Sequence, residues 1–427
     1  MMKILWIVNI ILPEIAKTLG ISFSNKEGWL TGAFNAVNSE NNGIEISVAC
    51  PTAESGLPKT VITRGIKCYL FEENLLSPEI YDENLETQIK EILDDCKPDI
   101  VHIFGTEFPH ALAAAKVFGK PEKTLVGIQG ICTRIAEDYM ALLPEKVCRS
   151  VTFRDFVKKD SLKRQQEKFT LRGKNERELL RISGNVAGRT PFDEEFSLSA
   201  NPDRRYFKIN ETMRSSFYDG KHWSPDEAVP CRIFLGQGDY PIKGMHFLLE
   251  ALNGICESFP QVSVRIAGNS IIRHKTLKDK IKIPAYGKYL RKLIKKYNLE
   301  ERITVTGPLS EEEMKNEYLK CSVYVCPSYI ENSPNTIAEA MLLGVPVVAS
   351  NAGGIPGVIG PEEGMIFERG DSEALRECIE RVFRMEKERN KELFSMTLLS
   401  IKRATRDYDS VNNLNDLITA YNEIGKE

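Results

Sequence analysis

The sequence predicts an α/β protein with two domains, each built on a parallel β-sheet. The chain has 427 residues, and a single hydrophobic core rarely serves more than about 250–300 residues. Short apolar runs alternate with longer polar segments, which is the pattern of parallel strands joined by helices. The alternation occurs twice, before and after a stretch at 201–230 that is rich in Pro, Asp, Ser and Asn, so we expect the domain junction there.

Each half of the chain contributes six predicted strands. In the first half they cover residues 4–8, 44–49, 67–71, 100–104, 125–128 and 185–188. In the second half they cover residues 231–235, 263–267, 303–306, 323–326, 346–349 and 365–367. The predicted domains are residues 1–205 and 206–400, followed by a helical segment at 401–427 that we expect to pack back on the first domain.

The composition argues against several classes of protein. The residues are 42% hydrophobic and 27% charged, as in globular domains. No apolar run approaches the roughly 20 residues that cross a bilayer, so a cytoplasmic protein is expected. The ten cysteines are scattered without zinc-site spacing and are predicted to be reduced thiols. A net charge of −3 argues against a nucleic-acid partner.

Two segments are nevertheless strongly basic, at 149–189 and 271–302. Both are consistent with solvated helix faces. The face formed by 158–181 is also consistent with peripheral contact at the inner face of an anionic membrane. In that case its basic side chains would lie beside Phe156, Leu162 and Phe169.

The segment 327–350 is the most informative for function. Ser333 is a good N-cap and Pro334 a favourable first helical residue, so a helix is predicted to start immediately after a parallel strand. A helix start offers free backbone N–H groups and the positive end of the helix dipole, which suits a diphosphate. Asn335 and Thr336 can add side-chain donors.

Two carboxylates flank this helix start. Glu331 precedes it, and Glu339 lies about a turn and a half inside the helix. One could accept hydrogen bonds from sugar hydroxyls and the other from ribose hydroxyls on either side of a diphosphate. The alternative is a pair of solvated acids on a surface helix, because this spacing alone is common.

The surrounding residues resemble the retaining family 4 glycosyltransferases, or glycosyl transferases group 1, and in particular the bacterial type that builds surface polysaccharide. The resemblance rests on Pro327-Ser328, Glu331, Ser333-Pro334-Asn335, Glu339-Ala340-Met341, the run 344–350 and Gly353-Gly354-Ile355-Pro356. It implies the GT-B fold, in which two Rossmann-like domains face a central cleft. It also implies a nucleotide-diphosphate sugar as donor, no cofactor, and a hydroxyl of a glycan or lipid-linked molecule as acceptor in polysaccharide biosynthesis.

The resemblance assigns roles in the donor half. In the loop 234–244, Lys243 stands where the family has a lysine against the leaving diphosphate, whereas Gly238 stands where an arginine is usual. Lys243 and Glu331 are therefore the predicted catalytic residues, with Arg265 as an alternative cation. The predicted donor-binding residues are Gly238, Gly244, Gly268, Gly307, Leu309, Ser333, Asn335, Thr336 and Glu339. The turns at Gly268 and Gly307 are equally consistent with tight turns that contact no ligand.

For the acceptor, the resemblance points to loops and strand ends of the N-terminal half. The predicted acceptor-binding residues are Gly28, Trp29, Glu107, His110, Gln129 and Arg189. Gln129 stands near a position where many relatives have a histidine, which argues against an imidazole-based acid/base step. His102 lies within an apolar run and is predicted to be a core residue. Glu107 and His110 follow the strand and are expected on the loop side.

The resemblance implies transfer with retention of configuration, and the sequence offers no carboxylate pair that we can assign as nucleophile and acid. We therefore expect front-face attack, in which the departing diphosphate helps to remove the acceptor proton. No convincing Asp-x-Asp pair follows a donor-domain strand, which predicts a metal-independent hexosyltransferase. Two alternatives remain. One is a nucleotide-sugar epimerase or phosphorylase of the same shape, and the other is a non-catalytic nucleotide-sugar-binding subunit, which Gly238 makes conceivable.

Overall fold

The computed structural model describes residues 1–22, 28–39, 43–54, 56–273, 276, 279 and 281–426. The chain folds into two compact units. The first comprises Met1–Ala136, Lys168–Met213 and Tyr408–Glu427, and the second comprises Glu137–Glu167 and Arg214–Asp407. All ten cysteines are free thiols. No helix in the described ranges is long and apolar enough to cross a membrane.

The first unit is built on an eight-stranded sheet. Its strands are β1 Met2–Ile7, β2 Ile44–Thr52, β3 Thr60–Thr63, β4 Ile66–Glu72, β5 Ile100–Phe104, β6 Thr124–Gly127, β7 Asn185–Gly188 and β8 Arg205–Lys208. Their spatial order is β3-β4-β2-β1-β5-β6-β7-β8. Neighbouring strands pair in parallel, apart from the antiparallel hairpin of β3 and β4. The order changes direction between β1 and β5, and ligands of open α/β sheets bind at the carboxyl ends of such strands.

Helices cover both faces of this sheet. They are Pro13–Leu19, Gly28–Ser39, Asn84–Cys96, Pro109–Phe118, Pro191–Ala200 and Ser410–Gly425, with a 3₁₀ turn at Pro121–Lys123. The helices Cys132–Asp138 and Leu162–Arg181 run from one unit into the other along the chain. Ser410–Gly425 packs on the first unit because Leu414, Leu417 and Tyr421 belong to the same buried cluster as Trp6 of β1.

The second unit contains a six-stranded parallel sheet. Its strands are β9 Arg232–Leu235, β10 Ser263–Ala267, β11 Ile303–Gly307, β12 Val323–Cys326, β13 Val347–Ser350 and β14 Met365–Phe367. They lie in the order β11-β10-β9-β12-β13-β14, so the switch point falls between β9 and β12. The helices are Glu145–Cys148, Phe153–Lys158, Met245–Ser258, Ala285–Lys296, Glu311–Leu319, Asn335–Leu342, Ile355–Val358, Ser372–Lys387 and Lys391–Asp407, with 3₁₀ turns at Ser215–Tyr218 and Pro241–Lys243.

The predicted α/β fold is confirmed, and each of the twelve predicted strands has a counterpart. Two strands were not predicted. β3 forms a short edge hairpin with β4, and β8 lies within the stretch that the sequence analysis treated as a junction. The segment 137–167, which lies within the predicted first domain, groups with the second unit.

Candidate functional site

The loops after β9 and β12 meet at the switch point of the second sheet. The Tyr329 N–H donates to the carbonyl oxygen of Ile242 across 2.7 Å, which joins the two loops. Gly244 has φ +70°, and a side chain there would collide with the carbonyl oxygen of Pro327. Glycine is therefore required at position 244, and the close approach of the two loops fixes where their side chains lie.

Lys243 and Glu331 form an ion pair at this junction. The Lys243 Nζ lies 2.6 Å from Glu331 Oε1, and the Ser328 hydroxyl donates to the same oxygen across 2.9 Å. Burial lowers the pKa of Lys243, but the neighbouring Glu331 carboxylate outweighs it, so the net shift is upward. The ammonium group is therefore charged at neutral pH, and the two predicted catalytic residues lie side by side.

The helix Asn335–Leu342 begins beside this pair. Its N-cap is Pro334, with φ −73° and ψ 110°, and no side chain caps it. The prediction that Ser333 is the N-cap was wrong, because the extended Pro334 delays the first helical turn by one residue. Ser333 is buried and Asn335 and Thr336 are half-buried, so all three predicted donor-binding residues lie at this helix start.

Glu339 is buried within the same helix and held by two neighbours. Its Oε1 accepts hydrogen bonds from Nη2 and Nε of Arg214 at 2.6 and 3.0 Å, and its Oε2 accepts one from the Tyr318 hydroxyl at 3.2 Å. Burial raises the pKa of Glu339, while Arg214 opposes the shift. The role of Arg214 was missed, because 125 residues separate it from Glu339 and no motif of its own marks it.

Three glycines complete the edge of this sheet. A Cβ added at Gly238 would point inward and lie 2.8 Å from the sulfur of Met245. Gly268 and Gly307 have φ +93° and +89°, and the Gly268 N–H donates to the Gly307 carbonyl oxygen across 2.9 Å. At either of these two turns a Cβ would meet no described atom within 4 Å. Their backbones therefore border open space, and Leu309 follows them half-buried.

A small cavity of about 60 Å³ lies in the first unit, at the carboxyl ends of β5 to β8. It is lined by His102, Gln129, Arg189, Glu211 and Trp29, together with apolar side chains that include Phe104, Ile209, Leu414 and Leu417. Three of the predicted acceptor residues are therefore brought together. Gly28 begins the helix Gly28–Ser39 next to Trp29. The sequence predicts a glycine-containing loop at 25–32, of which residues 25–27 lie outside the described ranges.

His102 was predicted to be a core residue, but it is both buried and part of the cavity wall. Its Nδ1 lies 2.6 Å from the Tyr421 hydroxyl, which accepts a hydrogen bond from Trp6 Nε1 at 2.9 Å. The Tyr421 hydroxyl has one proton to donate, and among the described residues His102 Nδ1 is the acceptor within its reach, so we assign the proton to that bond. Burial lowers the pKa of His102 to about 3, so the ring is neutral and carries its proton on Nε2.

Arg189 and Glu211 form a buried ion pair in the same cavity. Arg189 Nη1 lies 2.7 Å from Glu211 Oε1, and Nη2 donates to the Gln129 carbonyl oxygen at 3.3 Å. The Arg189 Nε is buried without a hydrogen-bond partner among the described residues. Arg189 is therefore fixed in place by its bonds to Glu211 and to the Gln129 backbone.

His110 and Glu107 are not cavity-lining residues. His110 is fully buried in the first turn of Pro109–Phe118, and its ring nitrogens bond to Glu73 at 2.7 Å and Asn9 at 3.1 Å. It does not lie on the loop side as expected, because the helix starts at Pro109 and turns the imidazole into the interior. Glu107 Oε1 accepts from the Gly130 N–H at 2.7 Å, which ties the β5 and β6 loops together.

Glu176 is a buried carboxylate that the sequence analysis did not single out. Its oxygens accept hydrogen bonds from the Thr106 hydroxyl, the Cys132 N–H, the Thr133 N–H and the Thr133 hydroxyl at 2.8–2.9 Å. Burial raises its pKa to about 7, although these donors oppose the shift. Glu176 therefore joins the end of β5 to the start of the helix Cys132–Asp138.

Solved structures share this architecture. Sucrose-phosphate synthase from Thermosynechococcus elongatus superimposes with a TM-score of 0.69 and 16% identity, covering 99% of each chain. HepE of Anabaena in complex with UDP gives a TM-score of 0.65 and 15% identity over 99% of this chain and 100% of that chain. At such identities the likeness establishes the fold, so the predicted GT-B class with two Rossmann-like domains is confirmed.

The family comparison covers part of the second unit. Residues 225–392 match the family model described as glycosyl transferases group 1, in agreement with the motifs of this segment. Sulfoquinovosyl transferase SQD2 of Arabidopsis thaliana is 28% identical over 144 residues, or 33% of this chain and 24% of the relative. Phosphatidyl-myo-inositol mannosyltransferase of Mycobacterium leprae is 30% identical over 154 residues, which is 36% of this chain and 37% of the relative. The chain thus spans well under half the length of these relatives.

Proposed function

We propose that this protein is a metal-independent glycosyltransferase that moves a hexose from a nucleotide-diphosphate sugar to a hydroxyl of a glycan or lipid-linked acceptor, with retention of configuration. The observation that carries the proposal is the Lys243–Glu331 pair at the switch point of the second sheet, beside the start of Asn335–Leu342. A cation, a carboxylate and a helix start in adjacent loops suit a sugar diphosphate. The phosphates are negative, and the sugar carries hydroxyl groups.

Lys243 is proposed to stabilise the leaving diphosphate. Its ammonium group has three donors, so it can bond a phosphate oxygen while it keeps its hydrogen bond to Glu331. Glu331 would then be oriented to accept from sugar hydroxyls. Gly238 supplies no second cation, and the alternative cation, Arg265, is engaged by Glu317 through an Nε–Oε2 contact of 3.0 Å. The proposal therefore assigns Lys243 the larger share of charge stabilisation in the transition state.

The nucleotide is proposed to lie along the glycine turns. The open backbones of Gly268 and Gly307 let a planar base approach closely, and Leu309 adds apolar contact. Glu339 would hold the ribose hydroxyls, with Arg214 and Tyr318 fixing the orientation of its carboxylate. The presence of UDP in the solved Anabaena structure supports a nucleoside diphosphate as the ligand class.

The acceptor is proposed to use the cavity of the first unit. About 60 Å³ holds a few water-sized groups, so this cavity would recognise one part of an acceptor. Gln129, Arg189 and neutral His102 supply hydrogen-bond donors there. Because the pKa of His102 is lowered to about 3, this imidazole is a weak base. That supports front-face attack, in which the leaving phosphate takes the acceptor proton.

A second candidate is a non-catalytic nucleotide-sugar-binding subunit, which the missing cation at Gly238 favours. An epimerase of the same fold is the other alternative from the sequence. Both share the proposed donor site, so binding of a nucleotide sugar does not separate them from a transferase. Turnover does.

The test is an assay of the purified chain with UDP-, GDP- and ADP-sugars in the presence of simple glycosides. Release of nucleoside diphosphate, with a new glycoside that keeps the donor's anomeric configuration by NMR, is the expected result. An epimerised nucleotide sugar without transfer would support the epimerase, and saturable binding without turnover would support the binding subunit. Loss of the transfer rate under a chelator, with recovery on Mn²⁺ addition, would contradict metal independence.

A further inference from the structure

The second unit exposes a cluster of large apolar side chains on the short helix Phe153–Lys158. Phe153 is 66% exposed, Phe156 75% and Val157 59%. These residues lie at i, i+3 and i+4, so they share one face of the helix. Val151, 56% exposed, lies just before the helix. We call Val151, Phe153, Phe156 and Val157 the apolar face.

This exposure is built into the fold, because the opposite side of the helix is anchored. The buried residue of the helix is Asp155, whose Oδ2 accepts a hydrogen bond from the Ala285 N–H at 2.9 Å. Asp155 also forms a reciprocal cap with Thr152. A surface helix normally buries its apolar residues and exposes its charges. Here an acid is inside and two phenylalanines are outside, where each leaves a large apolar surface in water.

Basic residues flank the apolar face along the chain. Residues 142–164 contain seven Lys or Arg against three Asp or Glu, a net charge of +4. All three acids are ion-paired: Glu145 with Arg149, and both Asp155 and Asp160 with Arg154. The exposed basic residues are Lys146, Arg149, Lys158, Lys159, Lys163 and Arg164. The surface therefore combines protruding apolar groups with excess positive charge.

We propose that this surface docks on an anionic lipid membrane, with the apolar face entering the headgroup region and the surrounding lysines facing lipid phosphates. Four side chains make a small contact, whereas a stable protein–protein interface buries about 1,200–2,000 Å² in total. Two phenylalanines plus several lysines are instead the combination that holds a protein reversibly on a bilayer. That the acceptor is lipid-linked is part of the proposed function, whereas docking on the membrane does not require turnover.

The surface differs from the one that the sequence suggested. Of the three apolar residues expected beside the basic face at 158–181, Phe156 is exposed, but Leu162 is buried. Phe169 is covered by the Arg172 guanidinium, 4.8 Å from its ring centre. The docking surface is thus centred on residues 151–159.

The test is sedimentation of the full chain with vesicles of phosphatidylcholine alone and of phosphatidylcholine mixed with phosphatidylglycerol, at low and high salt. The expected result is binding to the anionic vesicles that weakens at high salt. The double variant Phe153→Ser/Phe156→Ser should lose at least about tenfold in partitioning. Lys158→Gln/Lys159→Gln should lose roughly fivefold per residue, which corresponds to about 1 kcal/mol each.

A matched control is Leu398→Ser/Leu399→Ser, which alters two exposed leucines of the same unit and should bind as the wild type does. Circular dichroism checks that each variant is folded. Equal binding to both vesicle types, no binding to either, or binding unchanged in the phenylalanine variant would overturn the proposal. So would a change in oligomeric state of the phenylalanine variant without vesicle binding, which would indicate a protein partner. Nucleotide-sugar turnover without vesicles is measured separately, so failure of docking and failure of the proposed function are distinguishable.

Discussion

The candidate site of the second unit and the cavity of the first unit share one kind of interaction and differ in another. Both use opposite charges: Lys243 with Glu331 and Arg214 with Glu339 in the second unit, and Arg189 with Glu211 in the first. The first unit alone adds a neutral relay, which runs from Trp6 through Tyr421 to His102 in the cavity wall. A charged, partly exposed pair can rearrange around a charged ligand. A buried relay instead fixes one proton position before any ligand arrives.

The same contrast decides what a sequence can reveal. Lys243 and Glu331 lie in loops next to recognisable helix starts and strand ends. In the relay, Tyr421 lies 415 positions from Trp6 and 319 positions from His102, so no local sequence pattern indicates it.

The largest effect is expected for Lys243→Ala, since this ammonium group is proposed to stabilise the leaving diphosphate without a second cation at Gly238. We predict a loss of about 10²-fold or more in kcat/KM, roughly 3 kcal/mol of transition-state stabilisation. Initial rates with excess chelator measure it. Lys320→Ala, at an exposed lysine of the same unit, is the control and should leave the rate unchanged. A Lys243→Ala rate within a few-fold of wild type would mean that the charge is handled elsewhere.

The Arg214–Glu339 pair should be the second largest contributor. Arg214→Met leaves the buried Glu339 without its ion partner, which typically costs about 3 kcal/mol of unfolding free energy. The double variant Arg214→Met/Glu339→Leu removes both charges and should be more stable than the single variant. Urea unfolding of the three proteins measures this. A double variant that is no more stable than Arg214→Met would contradict the expected cost of leaving Glu339 buried without its ion partner.

Much of the fold and part of the site followed from the sequence, for a physical reason. Parallel strands such as β9 and β12 are short, apolar and bounded by glycine or proline, so their positions are local properties. The wrong N-cap at Ser333 and the missed β8 are also local, and arise where extended proline or polar residues mask the pattern. His110, Arg214 and Glu176 could not be placed, because their partners come from distant segments and only the folded sheet brings them together.

In the first unit, a pH effect on stability is expected from Glu176. The pKa of Glu176 is raised by burial from 4.5 to about 7, so the folded state holds a proton that the unfolded chain has lost over that interval. The stability contribution is therefore complete below about pH 4.5 and lost as the pH rises through about 7, by up to about 3 kcal/mol.

Glu176→Gln removes this titration and provides the comparison. The unfolding free energy of the wild type relative to the variant should fall as the pH rises from about 5 to about 8. If the difference stays constant over that range, the four donors around Glu176 outweigh burial and keep it ionised.

The smallest effect is predicted for Tyr421→Phe, which removes one oxygen from the relay and leaves the shape of the core unchanged. Both Trp6 Nε1 and His102 Nδ1 would lose a buried partner, and an unsatisfied buried polar group costs about 1–3 kcal/mol. We expect a loss of roughly 2 kcal/mol in unfolding free energy. Tyr297→Phe is the control, because the Tyr297 hydroxyl lies 3.0 Å from the exposed Lys296 ammonium, and it should change stability far less.

The decisive measurement is the ¹⁵N spectrum of His102. In the wild type it should show a neutral ring protonated on Nε2, and in Tyr421→Phe a mixture of tautomers, because nothing then holds the proton off Nδ1. A wild-type ring protonated on Nδ1, or a tautomer unaffected by the substitution, would show that the relay does not set the proton that His102 presents to the cavity.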